Sequence, residues 1–302
     1  MMRRVLERRD HVVLDASDGA SGLALVRAEL PDVVLLDLRM PGELSGFDVA
    51  RELRASGCVF AEAEAELLLD AAAGDDDLLA RLTARRCAGE PLEHVVGFAE
   101  LHGRRYAVEP GVFVPRVRSE LLVTVAVEHL ARRDGAVVVD LCCGSGALGA
   151  CVADLAGAPI ELHAADLDPA ACACARQNVD ARGGRVWRGD LLDALPADLR
   201  GGVDVLLANV PYVASGDLAT LPAQAREHEP RLALDGGDDG LDVLRRVAAD
   251  AGGWLTRGGV VLFEVAGHQL ASASEAIERG GLAASERRDD ELDAIVVVGR
   301  RA

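Results

Sequence analysis

Residues 140–149, Asp-Leu-Cys-Cys-Gly-Ser-Gly-Ala-Leu-Gly, decide the fold class of this chain. They follow an apolar run, Ala136–Leu141, lead into a helical pattern that begins at Ala147, and contain the spacing G-x-G-x-x-G. A second apolar run, Ile160–Ala165, ends in Asp166. In Rossmann-like folds, glycines at such a turn let a ligand approach the backbone, and an acid after the next strand binds ribose hydroxyls. The pattern therefore predicts a strand–turn–helix cofactor site, for which an NAD-binding domain is one candidate.

The sequence beyond Asp166 continues the alternation of helices and strands. A helix is expected over Pro169–Ala181, and further strands are expected at Val186–Arg188, Val203–Ala208, Val260–Val265 and Ile295–Arg300, the last paired with Leu282–Glu286. Strands that are apolar throughout, separated by helices, are typical of a mostly parallel sheet covered on both faces. The predicted fold class is therefore α/β, with a Rossmann-like sheet.

Asp140 distinguishes between two cofactors that such a site could bind, NAD and S-adenosylmethionine. At the carboxyl end of its strand, a carboxylate would attract the ammonium and sulfonium of S-adenosylmethionine and repel a dinucleotide pyrophosphate. The alternative is an aspartate that caps the following helix or its turn. After the third strand, Asp190 is placed to accept a hydrogen bond from an adenine amino group and Leu191 to pack on the ring. A plain turn role stays open for both.

The fourth strand ends in Asn209-Val210-Pro211-Tyr212. An amide nitrogen is a poor nucleophile, because its lone pair is delocalised into the carbonyl. The Asn209 side-chain oxygen and the Val210 carbonyl can each accept one of its N–H groups, orient the nitrogen and stabilise the positive charge that develops on methylation. Tyr212 can pack on a planar acceptor. The alternative is an ordinary strand-ending turn, in which Asn and Pro are frequent.

The amino-terminal part of the chain has a different pattern. Strands are expected at Val12–Asp15 and Val33–Leu38, and helices at Gly22–Leu30 and Phe47–Ala55. The stretch PDVVLLDLRMPGELSGFDVARELR resembles the middle of a response-regulator receiver domain, with Asp37 at the phospho-acceptor position. The first strand, with its acidic metal-binding pair, and the last two strands are missing. We therefore expect a fragment without signalling activity, because Mg²⁺ would lack oxygen ligands there.

Two further segments lie between this fragment and the α/β region. Helices are expected at Glu62–Ala73 and Leu78–Cys87, and a hairpin at Phe98–Leu101 and Arg104–Val108, with His102-Gly103 as its turn. The expected domains are a truncated receiver-like fragment, a helical domain, a hairpin linker and an α/β domain, over residues 1–56, 57–97, 98–114 and 115–302.

Composition narrows the function classes. The 302 residues carry a formal net charge of −18, and every basic residue is arginine, so Schiff-base chemistry and a P-loop lysine are excluded. The charge argues against a nucleic-acid partner. No apolar run of membrane-spanning length and no secretory leader pattern occurs, so a cytoplasmic protein without a membrane partner is expected. The seven cysteines form no CxxC pair, and no metal site is expected.

Between Gly57 and Arg300, about four-fifths of the chain, the sequence resembles the HemK-type protein-(glutamine-N5) methyltransferases, which modify release factors. The matching stretches are GEPLEHVVGFAELHGRRYAVEPGVFVPR (Gly89–Arg116), DLCCGSG, GDLLDAL (Gly189–Leu195), NVPY and HEPRLALDGGDDGLDV (His228–Val243). The resemblance implies a helical substrate-recognition domain, a hairpin and a seven-stranded methyltransferase domain. It also implies that S-adenosylmethionine contacts Cys142, Cys143, Gly144, Ser145, Gly146, Asp166, Leu191 and Asn209, and that Asn209–Tyr212 hold the glutamine amide.

Three departures from the family pattern bear on the acceptor. Val210 replaces the first proline of the family's usual NPPY motif. Cys142 and Cys143 replace the Gly-Thr of the usual DLGTGSG motif, and the helical region is shorter than in the family. The expected acceptor is a protein glutamine, in the Gly-Gly-Gln loop of a peptide chain release factor. Two alternatives remain at this point: an N6-adenine methyltransferase acting on flipped bases, and a phosphorylation-responsive module around Asp37.

Overall fold

The computed structural model describes residues 46–131, 133 and 135–302, together with positions 14, 28 and 29. The chain divides into two compact units, Met1–Ala88 and Gly89–Ala302. Apart from those three positions, the strands and helix expected before residue 46 lie outside the described residues, as does Asp37.

The described part of the first unit consists of α1 (Gly46–Ala55), α2 (Ala61–Ala72) and α3 (Asp76–Cys87). These helices confirm the expected ones to within two residues at each end. They bury Val49, Leu53, Ala65, Leu68 and Leu79. The Asp75 side chain caps α3 by accepting the Leu78 N–H at 2.8 Å, which supplies a partner for a donor that the first helical turn leaves free.

The second unit begins with α4 (Leu92–Val96) and an antiparallel hairpin of β1 (Phe98–Leu101) and β2 (Arg104–Ala107). Its turn residues, His102 and Gly103, have φ angles of 48° and 67°. Two positive φ angles match the right-handed twist of the paired strands, and the expected hairpin is confirmed.

A seven-stranded sheet follows, in the order β5-β4-β3-β6-β7-β9-β8. The first five strands in that order are parallel, whereas β9 runs antiparallel to both of its neighbours. The strands are β3 (Val137–Leu141), β4 (Glu161–Asp166), β5 (Arg185–Arg188), β6 (Val203–Ala208), β7 (Leu255–Glu264), β8 (Ala283–Asp289) and β9 (Ala294–Arg300). The mostly parallel sheet and the pairing of the last two strands are as expected from the sequence.

Helices cover both faces of this sheet, because its strands are apolar on both sides. After α4, the α-helices of the second unit are α5 (Glu120–Leu130), α6 (Ala147–Leu155), α7 (Pro169–Val179), α8 (Ala223–His228), α9 (Asp242–Trp254) and α10 (Leu270–Arg279). The cluster that contains Val138 includes side chains of α5, α6 and α7, and the cluster that contains its neighbour Val139 includes those of α9 and α10. Successive strand residues thus serve opposite faces.

The topology places a crevice at the carboxyl ends of the strands. From β3 the chain passes to β4 on one side, whereas β6 pairs with the other side of β3. Connections that leave in opposite directions open a gap above the sheet, and open α/β sheets bind ligands there.

None of the helices in the described part of the chain combines the length and apolar character needed to span a membrane. Across the same residues, His, Cys, Asp and Glu side chains form no group of three that could hold a metal ion.

Candidate active site

The loop after β3 is shaped by three residues with positive φ angles: Cys142 at 55°, Gly144 at 53° and Gly146 at 71°. A Cβ on Gly146 would lie 2.9 Å from Val179 Cγ2 and 3.1 Å from Ala175 Cβ, so only glycine lets α7 pack this closely. Cys142 stands where the resemblance expects glycine, and a non-glycine residue in this region costs about 1–2 kcal/mol.

Asp140 lies beneath this loop rather than in the crevice. It is 1% exposed, and its Oδ2 accepts the N–H of Gly149 in the first turn of α6 at 2.8 Å. A Cβ on Gly149 would lie 2.9 Å from Asp140 Cβ, which explains the third glycine of the motif. Its Oδ1 is buried without a hydrogen-bond partner among the described residues, and burial raises the pKa of this carboxyl to about 7. The helix-capping alternative thus describes the geometry of Asp140 better than the expected ligand-facing position.

Asp166, at the end of β4, holds the loop from the opposite side. Its Oδ2 accepts the N–H of Gly144 and its Oδ1 that of Asp168, each at 2.9 Å. Burial raises the pKa of this carboxyl, although the bonds from the two backbone N–H groups oppose the shift. Each carboxylate oxygen keeps a further lone pair, so Asp166 can still accept hydrogen bonds from a ligand.

The carboxyl ends of the strands border a cleft of about 870 Å³, which includes space open to solvent. Seven of the residues expected in the site line this cleft: Cys142, Gly144, Asp166, Asp190, Leu191, Asn209 and Pro211. The other six do not belong to its lining: Asp140, Cys143, Ser145, Gly146, Val210 and Tyr212.

The charge of the cleft is negative. Asp166, Asp168, Asp190 and Asp235 line it, whereas Arg246 is the one basic residue of the lining and pairs with Asp190 at 2.7 Å. Asp235 is likewise paired, with Arg231 at 2.9 Å, so the carboxylates of Asp166 and Asp168 supply the net negative charge that repels a pyrophosphate and attracts a cation. The cleft therefore has the negative charge that was expected from Asp140. Other aspartates supply that charge, because Asp140 does not line the cleft.

The Cys142 thiol lines the same cleft. Burial, reinforced by the carboxylates of Asp166 and Asp140, raises the pKa of this thiol far above its usual range.

Asn209 follows β6 and presents one amide group to the cleft. Its Nδ2 donates to Ser119 Oγ at 3.3 Å, and no hydrogen bond from the described residues reaches its Oδ1. Oδ1 is therefore the polar atom that this side chain offers to a ligand. The carbonyl of the buried Val210 likewise accepts no hydrogen bond from the part of the chain described.

Tyr212 turns away from the lining of the cleft. Its hydroxyl donates to Glu264 Oε1 at 3.2 Å, and Arg118 lies over its ring with Cζ 5.9 Å from the centroid. Burial, then the Glu264 carboxylate, raises the pKa of Tyr212 well above its usual value. The ring therefore belongs to a polar network beside the cleft.

Two segments that the motif reasoning did not assign to the site complete the cleft wall. Val112 and Phe113 come from the stretch before α5, and Pro230 and Leu232 from the stretch after α8. The buried Glu229 joins the two segments, because it accepts two hydrogen bonds from Arg116 Nη2 at 2.5 and 2.7 Å.

Both segments lie within the family stretches quoted above, Gly89–Arg116 and His228–Val243, so the resemblance contained the signal. It did not assign their residues to the cleft.

Asn178 was also missed, although it positions the glycine-rich loop. Its Nδ2 donates to the carbonyls of Ser145 at 2.8 Å and Ala107 at 2.9 Å. Its Oδ1 accepts the N–H of Ala107 at 2.9 Å. One buried amide thus joins α7, β2 and the loop, and it has no motif of its own.

Comparison with known proteins finds two family models that match different parts of the chain. The family model described as "Methyltransferase small domain" matches residues 107–229, and that of the response regulator receiver domain matches residues 1–68. Among solved structures, a methyltransferase from Pyrococcus furiosus is similar with a TM-score of 0.50 at 16% identity, covering 67% of this chain and 90% of that one. A T. thermophilus 16S rRNA methyltransferase is similar with a TM-score of 0.50 at 20% identity, covering 68% and 50%. These likenesses establish the methyltransferase fold.

Curated relatives are more similar in sequence. The release factor glutamine methyltransferase of Bordetella pertussis is 39% identical over 70% of this chain and 77% of its own length. That of Moorella thermoacetica is 36% identical over 74% and 84%. The 4-amino-L-phenylalanine/4-methylamino-L-phenylalanine methyltransferase of Streptomyces pristinaespiralis is 39% identical over 62% and 65%. Because the first two relatives are matched over more than two thirds of their lengths, this chain belongs to the release factor glutamine methyltransferase family.

Proposed function

We propose that this protein transfers the methyl group of S-adenosylmethionine to the side-chain amide nitrogen of a glutamine in a protein. The proposed acceptor is the Gly-Gly-Gln loop of a peptide chain release factor. The observation that carries the proposal is the pair of unengaged acceptors, Asn209 Oδ1 and the Val210 carbonyl, at the end of β6 beside a negatively charged cleft.

The cleft residues fit this cofactor. Asp166 would accept the ribose hydroxyls with the lone pairs that Gly144 and Asp168 leave free. Leu191 would pack on the adenine, with Asp190 accepting from its amino group. When bound, the cofactor supplies an electrophilic methyl group on a cationic sulfur. The net negative charge that Asp166 and Asp168 give the cleft favours that cation.

The protein's own contribution to the acceptor is orientation and charge stabilisation. Asn209 Oδ1 and the Val210 carbonyl would each accept one N–H of the glutamine amide, turning the nitrogen lone pair towards the methyl group. They also stabilise the positive charge that appears on nitrogen during transfer. No general base is needed, because the nitrogen becomes acidic only after it is methylated, and its proton can leave to water.

The assignment of a release factor as the partner protein depends on the curated relatives. The Bordetella pertussis and Moorella thermoacetica proteins are named as release factor glutamine methyltransferases. The expected division into residues 1–56, 57–97, 98–114 and 115–302 stays a proposal, in which residues 57–97 select the partner protein.

A small aromatic amine is the second candidate acceptor. One relative, at 39% identity, is named as a methyltransferase of 4-amino-L-phenylalanine, as similar in identity as the release factor enzyme of Bordetella pertussis. An aromatic amine, like an amide, has N–H groups on a planar, delocalised nitrogen. The same two acceptors could therefore orient it.

One experiment separates the two. The protein is incubated with methyl-labelled S-adenosylmethionine and either a release-factor domain, the same domain with its Gly-Gly-Gln glutamine changed to glutamate, or free 4-amino-L-phenylalanine. We expect mass spectrometry to find one added methyl on the glutamine of the first substrate and none on the second. Methylation of the amino acid alone would replace the proposed acceptor, and no transfer to either would contradict the proposal.

A further inference from the structure

A buried glutamate lies behind the acceptor side of the cleft. Glu264 ends β7, is 3% exposed, and belongs to neither the quoted motifs nor the cleft lining. Three donors surround it: Ser119 Oγ at 2.6 Å, Tyr212 Oη at 3.2 Å and Arg118 Nε at 3.4 Å. All three neighbours donate, so a carboxylate, which only accepts, satisfies each of them.

The bond from Ser119 determines what that hydroxyl can do next. A serine hydroxyl has one proton and two lone pairs, and here the proton goes to Glu264. Ser119 is fully buried, so its oxygen has no water to serve as another partner. Towards Asn209 the hydroxyl can therefore only accept.

This constraint fixes the orientation of the Asn209 amide. Its two ends are similar in shape but opposite in hydrogen bonding: Nδ2 donates and Oδ1 accepts. Because Ser119 Oγ can only accept, it binds Nδ2, at 3.3 Å, and Oδ1 points away from it. In the reversed orientation, Asn209 Oδ1 and Ser119 Oγ, both hydrogen-bond acceptors, would face each other. The Nδ2 donor would then point towards the nitrogen that is to be methylated.

We propose that Glu264 is a positioning residue that, through Ser119, holds the Asn209 amide with its oxygen towards the cleft. The same carboxylate binds the Tyr212 hydroxyl, so it fixes both ends of the NVPY turn. The inference rests on the proposed function in one respect, since the fixed oxygen is useful only for an acceptor that carries N–H groups.

The amide orientation can be measured without any acceptor. The chain contains two asparagines, Asn178 and Asn209, so the full-length protein labelled with ¹⁵N in asparagine side chains gives two NH₂ signals. Asn178 is an internal reference, because its amide binds Ser145 and Ala107, far along the chain from Glu264. In Glu264→Gln, the carboxamide N–H can donate to Ser119 Oγ. The Ser119 hydroxyl is then free to donate its own proton in a hydrogen bond to Asn209. We expect the Asn209 signals to move or split while those of Asn178 stay, and the same in Ser119→Ala.

Turnover provides the second measurement, with the release-factor domain or whichever acceptor is methylated. Reversing a preference worth one hydrogen bond should lower the turnover number of Glu264→Gln about tenfold, with little change in the affinity for S-adenosylmethionine. In an Asn209→Ala background the same substitution should cost nothing further, because Glu264 would act only through that amide. A merely structural role would lower turnover in both backgrounds.

Asp154→Asn is the matched control. Asp154 also accepts from a tyrosine hydroxyl and an arginine, Tyr106 at 3.0 Å and Arg182, but it does not line the cleft. Its substitution should lower stability and leave the Asn209 signals unchanged. Unchanged Asn209 signals in Glu264→Gln, or an equal loss of turnover with and without Asn209, would overturn the proposal. If no acceptor is methylated at all, the proposed function fails, and the asparagine signals still decide the role of Glu264.

Discussion

Asp166→Ala is the most direct test of the cofactor site, because this carboxylate would bind the ribose and also hold the loop. Losing charge-assisted bonds to the ribose should cost about 1.5–3 kcal/mol. The N–H groups of Gly144 and Asp168 would lose their acceptors, both at 2.9 Å, and a less ordered loop should add about 0.5–1.5 kcal/mol. The sum, about 2–4.5 kcal/mol, predicts a dissociation constant for S-adenosylmethionine about 30- to 2,000-fold higher.

Isothermal titration calorimetry measures this affinity, and Asp168→Asn is the matched control. Asp168 also lines the cleft, and its carboxylate caps α7 by accepting the Ala170 N–H at 2.8 Å. Asparagine caps helices as well as aspartate does, so the control removes one charge and keeps the fold. We expect the affinity for S-adenosylmethionine to change less than about threefold, because Asp168 is not among the residues assigned a contact with the cofactor and salt screens a more distant charge. An unchanged affinity in Asp166→Ala would remove this residue from the site. Equal losses in both variants would mean that general charge, not ribose contact, determines binding.

The remaining predictions concern the acceptor, the cleft wall and the buried acid. Asn209→Ala should lower turnover about 10²–10³-fold while the affinity for the cofactor falls less than about tenfold. Steady-state kinetics measures the turnover and calorimetry the affinity, and an unchanged turnover would contradict the prediction. Glu229→Gln removes a charged partner of Arg116 and should lower the free energy of unfolding by about 1.5–3 kcal/mol, as measured in urea; an unchanged midpoint would be inconsistent with the wall being held there. Burial raises the pKa of Asp140 to about 7, so the folded protein binds a proton that the unfolded chain has lost, and this group's contribution to stability falls as pH rises from about 4 to 7. Asp140→Asn should therefore flatten the pH dependence of unfolding between about pH 4 and pH 7, and an identical slope in both proteins would argue against the raised pKa.

The sequence predicted the elements of the sheet well, because strands buried on both faces are apolar throughout. It also predicted that Asp166 and Asn209 lie at one crevice, since Asp166 ends β4, Asn209 follows β6, and both strands pair in parallel with β3. The position of Asp140 was harder to predict. An acid at the end of a strand can face the ligand or cap the next helix, and which of these occurs depends on how the following loop folds over it. The Ser119–Glu264 contact joins residues 145 positions apart, and neither residue lies in a recognisable spacing. Contacts of this kind arise only when β7 and the start of α5 pack together, so no local pattern contains them.

The protonated thiol of Cys142 has a consequence for chemoselectivity. A cysteine beside an alkylating agent is a competing acceptor, and sulfur is a better nucleophile than an amide nitrogen when it is ionised. Here, burial among carboxylates keeps the sulfur in its neutral form, in which it reacts poorly. The acidity that favours a cationic alkylating agent thus also adds to the effect of burial in keeping this sulfur a poor competing acceptor.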